Sequence, residues 1–236
     1  DSGYIICGST NSNSGDVSGN HGNGDALVVK LNASGGIVWA KCYGGSNSEE
    51  FLAMQPCIEG GFIAVGTTAS NDGDVSGFHG GVPTDVWVVR LDDTGHILWQ
   101  KALGGTGEDV GRSLIQTNDS GFIIAGYSSS ANGDVTFNHG GTDCWLIKLS
   151  KTGVVEWQKC LGGTGKDAAL SITAAIGGGF IFAGQTSSTD GDVSHFKGGT
   201  ATGGDVWVVH VSDVGDVIWE RTFGGSSNEV GNSILR

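Results

Sequence analysis

Asp and His recur at fixed distances along this chain, in loops that suit two kinds of chemistry. Asp16, Asp74, Asp134 and Asp192 each sit inside a Gly-Asp-Val phrase, and Asp25, Asp85, Asp143 and Asp205 each stand immediately before an apolar run. His21, His79 and His139 lie between the two sets; the fourth copy has Lys197 there, with His195 two residues earlier. A third acidic position recurs as Glu50, Asp109, Asp167 and Glu229. Carboxylates gathered in Gly-rich loops suit a hard cation, and Ca²⁺ is the cofactor they would take. Asp72-Gly73-Asp74 and Asp190-Gly191-Asp192 are the best local candidates, which makes Asp72, Asp74, Asp190 and Asp192 the expected metal ligands. The EF-hand order Asp-x-Asp-x-Asp-Gly is absent. The competing reading is structural. Asp in such sequences builds Asx-turns, and Asp before a strand accepts N–H groups from its own loop. Recurrence in every unit favours that second reading, because a ligand rarely needs four copies. A transition metal on His21, His79 and His139 would need the three to converge, and Lys197 breaks the pattern.

The elements that must position these residues follow from self-similarity. Trp39, Trp99, Trp157 and Trp219 each end a Gly-x-x-x-Trp phrase, and a Gly-Gly pair begins five residues later at Gly44, Gly104, Gly162 and Gly224. A Gly-aromatic-Ile phrase recurs at Tyr4, Phe62, Phe122 and Phe180. All these markers share one period of about 59 residues. Within one period, β-branched and aromatic runs bounded by Gly, Asn, Asp and Ser give four strands, here A to D. In the third unit they fall near 109–116, 121–126, 144–149 and 154–161. Four antiparallel strands at a fixed period predict an all-β chain: a β-propeller of four blades. Trp87, Trp145 and Trp207 on strand C, with Leu27 in the fourth place, read as core; Trp39, Trp99, Trp157 and Trp219 read as packing between blades. Ser233-Ile234-Leu235-Arg236 aligns with strand A, while the chain opens at strand B. The ring is therefore expected to close by the C-terminal strand pairing with the N-terminal blade, which removes two naked edges; the alternatives are a part of a longer array, or half of an eight-bladed ring made by a dimer. The repeat units run approximately 1–45 plus 226–236, 46–105, 106–163 and 164–225, in one domain spanning 1–236. The B–C and D–A loops, which carry the recurrent acids, emerge together on one face.

The phrase Leu91-Asp92-Asp93-Thr94-Gly95-His96-Ile97-Leu98-Trp99, ending in Gly104-Gly105, resembles the tryptophan-docking motif of quinoprotein-type β-propellers. The longer pattern, with Gly-Asp-Val-Ser-Gly, His-Gly-Gly, Asp-x-Trp-Val-Val and Trp-Gln-Lys, resembles propeller repeats of secreted and cell-surface proteins of Bacteroidota-type bacteria. The resemblance covers essentially the entire chain and implies a bacterial, extracellular or surface location. It implies no quinone cofactor, since the docking motif is a packing device.

Composition excludes other classes. With 12 Lys+Arg against 25 Asp+Glu the net charge is −13, which lacks the basic face that nucleic acid or an anionic membrane requires. Gly is 44 of 236, without the strict period of collagen. No apolar run is long enough for a transmembrane helix. The five cysteines show no CxxC spacing and read as unpaired small hydrophobes. The opening Asp1-Ser2-Gly3-Tyr4 reads as a turn entering a strand, as in a processed or trimmed product. Neither Gly-x-Ser-x-Gly, His-Glu-x-x-His nor a P-loop is present. The function expected is a non-enzymatic binding or scaffolding module, monomeric or homodimeric, for a glycan or protein partner. It would use the loop face of Asp16, His21, Asp25, Asp74, His79, Asp85, Asp134, His139, Asp143, Asp192 and Asp205. The alternatives are a propeller-type glycan hydrolase or lyase, working through the irregular insertions Val82-Pro83 and 200–204, and a structural spacer or self-assembling module.

Overall fold

A computed structural model describes residues 3–80, 83–198 and 204–236 of the chain. Among them it is all-β, with fifteen antiparallel strands in four sheets. Unit 1 holds β1 (Tyr4–Thr10), β2 (Asp25–Leu31) and β3 (Ile37–Tyr43). Unit 2 holds β4 (Glu49–Pro56), β5 (Phe62–Thr68), β6 (Asp85–Leu91) and β7 (Ile97–Leu103). Unit 3 holds β8 (Asp109–Gln116), β9 (Phe122–Ser128), β10 (Asp143–Leu149) and β11 (Val155–Leu161). Unit 4 holds β12 (Asp167–Ala174), β13 (Phe180–Thr186), β14 (Asp205–Val211) and β15 (Val217–Phe223). Each sheet is a meander in chain order. Such sheets, similar in size and stacked in sequence, are compatible with a four-bladed propeller.

The side-chain period of two explains the stacking. In β6, Val86 and Val88 enter the core shared with unit 3, while Trp87, Val89 and Leu91 enter the core shared with unit 1. A strand buried on both faces reads as an unbroken apolar run, as Asp-Val-Trp-Val-Val-Arg-Leu does. Three cores result, one at each junction between successive units. Trp87, Trp145 and Trp207 are fully buried within them, as the strand C reading requires. In β4, β8 and β12 a bulge follows the third pair of the ladder, between Phe51 and Ala53, Gly111 and Ser113, and Ala169 and Ser171.

At the fourth junction the described residues do not show the ring closed. Among the described residues unit 1 has three strands, and β1 pairs only with β2. Residues 229–236 carry no strand and make no ladder with β1. They lie instead along unit 4, where Gly231 N donates to Gly184 O at 3.0 Å and Ile234 N to Ser171 Oγ at 3.2 Å.

Candidate functional site: the acidic loop face

Each B–C loop folds back over the D–A loop that enters its own unit, and the recurrent acids make that fold. Asp74 N donates to Gly44 O at 2.9 Å, and Gly44 N returns a bond to Asp74 Oδ2 at 3.2 Å. Asp134 and Gly104 repeat this reciprocal pair, as do Asp192 and Gly162. Asp16, at the open end of the stack, is exposed.

Asp72 Oδ1 accepts Ser46 N at 2.8 Å, and Asp190 Oδ1 accepts Thr164 N at 2.8 Å. Those main-chain donors hold both carboxyls below the usual range. Asn132 occupies the same place in unit 3, with Oδ1 accepting Thr106 N at 2.9 Å. A neutral amide does the same work, so the position does not require charge. Asp72, Asp74, Asp190 and Asp192 thus each spend an oxygen on a backbone donor. Among the described residues no group of three or more His, Cys, Asp or Glu is placed to hold a metal.

The acids before strand C are buried. Asp25, Asp85 and Asp143 each use Oδ2 to accept the backbone N–H of His21, His79 and His139, and the ring Nδ1 of the same His lies at 2.6, 2.8 and 2.7 Å. Asp205 Oδ2 accepts Lys197 N at 2.6 Å. The bond to Asp25 raises the pKa of His21. The far ring nitrogens of His79 and His139 face the next unit, 3.5 Å from Asp134 Oδ2 and 3.8 Å from Asp192 Oδ2. Each His thus bridges two acids at its own junction.

The acid that begins strand A is also buried. Asp109 Oδ2 accepts Gly105 N and Ser130 Oγ, and its Oδ1 accepts Ser128 Oγ. Asp167 repeats the arrangement with Gly163 N and Ser188 Oγ. In unit 2 the residue is Glu49, not Glu50. Glu49 accepts Gly45 N and Thr68 Oγ1 and lies opposite Thr68, as Asp109 lies opposite Ser128. Two adjacent glutamates left the spacing ambiguous. The recurring hydroxyl pairs at Thr68 and Ser70, Ser128 and Ser130, and Thr186 and Ser188 were the signal that could have resolved it.

Buried acids of both kinds converge on the first Gly of each Gly-Gly pair. The Cβ position of Gly104 is 2.5 Å from Asp109 Oδ2 and 2.7 Å from Asp85 Oδ1; that of Gly162 is 2.5 Å from Asp167 Oδ2 and 2.9 Å from Asp143 Oδ1. Only Gly leaves that room. Asp85 Oδ1, Asp143 Oδ1, Asp167 Oδ1 and Asp205 Oδ1 are buried without a hydrogen-bond partner among the described residues. Burial raises the pKa of Asp85, Asp109 and Asp143 against the lowering effect of their hydrogen bonds. Chemically, this is a hydrogen-bonded frame whose polar groups face one another.

Two open concavities, of 470 and 490 Å³, lie on the opposite face at the A–B and C–D turns. Cys57, Gly61 and Asp93 line one; Asn118, Lys148 and Asp213 line the other. Of the two insertions singled out from the sequence, Val82 and residues 200–203 lie outside the described residues. A scan of protein families finds no match to this chain, and a search of curated proteins finds none.

Proposed function

We propose that the chain is a secreted or surface-displayed β-propeller module of bacterial origin that binds or scaffolds a glycan or protein partner without catalysis. The supporting observation is the sameness of the loop face. One set of bonds recurs at three junctions, and its acids and histidines are spent on holding loops together. This face presents one repeated rim, with Asp134 and Asp192 partly open to solvent. Phe137, also exposed, sets its ring edge-on to His139 at 4.7 Å between centroids. Rigid scaffolds presenting loops are the usual platform for binding. The tryptophan-docking resemblance and a closed ring belong to the same proposal, with a Glu229–Arg236 segment, from this copy or a second, completing the sheet of β1–β3.

A glycan array and a pull-down with the intact chain test the proposal. Binding that Asp134→Asn and Phe137→Ala together weaken tenfold or more supports it. Turnover of any member of a polysaccharide panel, lost on neutralising one acid, overturns it in favour of a hydrolase or lyase.

A further inference from the structure

The described residues leave two faces without a neighbour, and the two are complementary. At the covered junctions a Cβ on Gly95, Gly153 or Gly215 would lie 2.9–3.0 Å or less from the preceding unit, against the rings of Trp39, Trp99 and Trp157 at 3.1, 3.0 and 2.8 Å. The indole N–H groups of those three residues donate to Asp93 O, Lys151 O and Asp213 O at 3.3, 3.2 and 3.1 Å. Trp219 is the fourth such residue and is 38% exposed, while Gly35, the fourth such seat, has nothing within 4 Å.

The strand slot repeats the pattern. A Cβ on Gly66, Gly126 or Gly184 would collide with strand A, at Glu50 O, Val110 O and Ala168 O; at Gly8 there is nothing within 4 Å. Tyr4 and Ile6 on β1 are 62% and 52% exposed, where Phe122 and Ile124 on β9 are 1%. The complementary segment already lies along unit 4 at the other end. Glu229 N donates to Gly204 O at 2.7 Å as Asp167 N does to Thr142 O at 2.6 Å, and Ile234 N meets Ser171 Oγ as Ile172 N meets Ser113 Oγ. Carrying over the β8–β9 register sets Glu229 opposite Thr10, Gly231 opposite Gly8, Ser233 opposite Cys7 and Arg236 opposite Tyr4, with Asn232 in the bulge. Charge agrees as well. Lys197 replaces the bridging His on one face, and Asp16 supplies the facing carboxylate on the other.

We infer that the exposed face of unit 4, with its C-terminal segment and Trp219, docks onto the exposed face of unit 1 on a second copy of this chain, so that two copies close one ring of eight units. This rests on the propeller reading above. The three covered junctions carry the same bonds at the same positions, so the step between units is set by their cores. Within one chain the structure leaves the two faces apart, whereas a second copy supplies each face with the surface it lacks and leaves the three covered junctions as they stand. Eight blades lie within the usual range of roughly 4–8, and a third copy would exceed it. The contact is head to tail and occurs twice, which closes the assembly on a two-fold axis.

Ser233→Cys places a thiol opposite Cys7. Mild oxidation of the full chain should give a covalent dimer on non-reducing gels, absent from the Cys7→Ser/Ser233→Cys pair, and light scattering of the unmodified chain should give twice the monomer mass. Gly8→Ala, which fills the strand slot, should halve that mass while leaving the circular dichroism unchanged. A cross-link within a single chain, with a monomeric mass, overturns the second copy and leaves the strand pairing standing. A monomer that forms no cross-link overturns both.

Discussion

The three covered junctions and the open seam are built from the same residue types in the same order, yet the residues fare differently. At a covered junction Ile124 is out of solvent, Trp99 seats on Gly153, and Gly126 lies hard against Val110. At the seam Ile6 and Trp219 face water, and a Cβ on Gly8 or Gly35 would meet nothing within 4 Å among the described residues. The hairpins of each unit form in both settings, so strands B, C and D are locally determined. Strand A is different: its hydrogen-bond ladder belongs to one unit and its side-on packing to the unit before.

The largest test of this contrast lies in the core. Trp145→Ala should cost about 3–5 kcal/mol in denaturant unfolding, the usual range for a buried aromatic. Leu27→Ala, half-buried in the unit that lacks strand A, should cost about 1–2 kcal/mol. Equal costs would mean that unit 1 is as well covered as unit 3. Gly126→Ala comes next, at about 3 kcal/mol, because the new Cβ must displace β8. Gly8→Ala in the dissociated chain should move the melting curve by about 0.5 kcal/mol or less. A large loss there would place an unseen strand beside β1.

A smaller effect concerns the buried acids. The pKa values of Asp85, Asp109 and Asp143 are raised, so the native state holds those protons more tightly than the unfolded chain does. Their contribution to stability is therefore greatest in acid and is lost as pH rises from about 4 through the raised native values. Asp143→Asn should flatten that slope in a pH series of melts; an unchanged slope would assign the dependence to other groups. The smallest effect is on the opposite face. Thr117 and Lys148 hold Asp119 near a pKa of about 2, so its contribution is present above about pH 4 and lost as pH falls toward 2. With solvent screening, Asp119→Asn should cost about 0.5 kcal/mol at neutral pH and nothing at pH 2.

The strands and units were legible in the sequence because period-two patterning and turn residues act locally. In unit 3 strands A and D fell at 109–116 and 154–161, against β8 at Asp109–Gln116 and β11 at Val155–Leu161. The structural role of Asp25, Asp85, Asp143 and Asp205 as acceptors for their own loops was legible for the same reason. Glu49 was missed because one residue of slip along a loop leaves no mark in composition. Ring closure was read from the complementarity of two ends, which does not say how far apart the intervening junctions hold them. The pairing of buried acids over Gly104 and Gly162 was also hidden, since it joins residues more than twenty positions apart in sequence.

The divided allegiance of strand A also bears on how such a chain grows or shrinks. A cut made at any A–B turn separates the array between a strand's ladder and its packing, and a block inserted there meets the same surfaces that it replaces. Duplicating or deleting one period therefore leaves every surviving junction chemically unchanged. The number of units is consequently inherited as chain length rather than written into any residue, and a length mutation can change the circumference of the assembly without a single substitution.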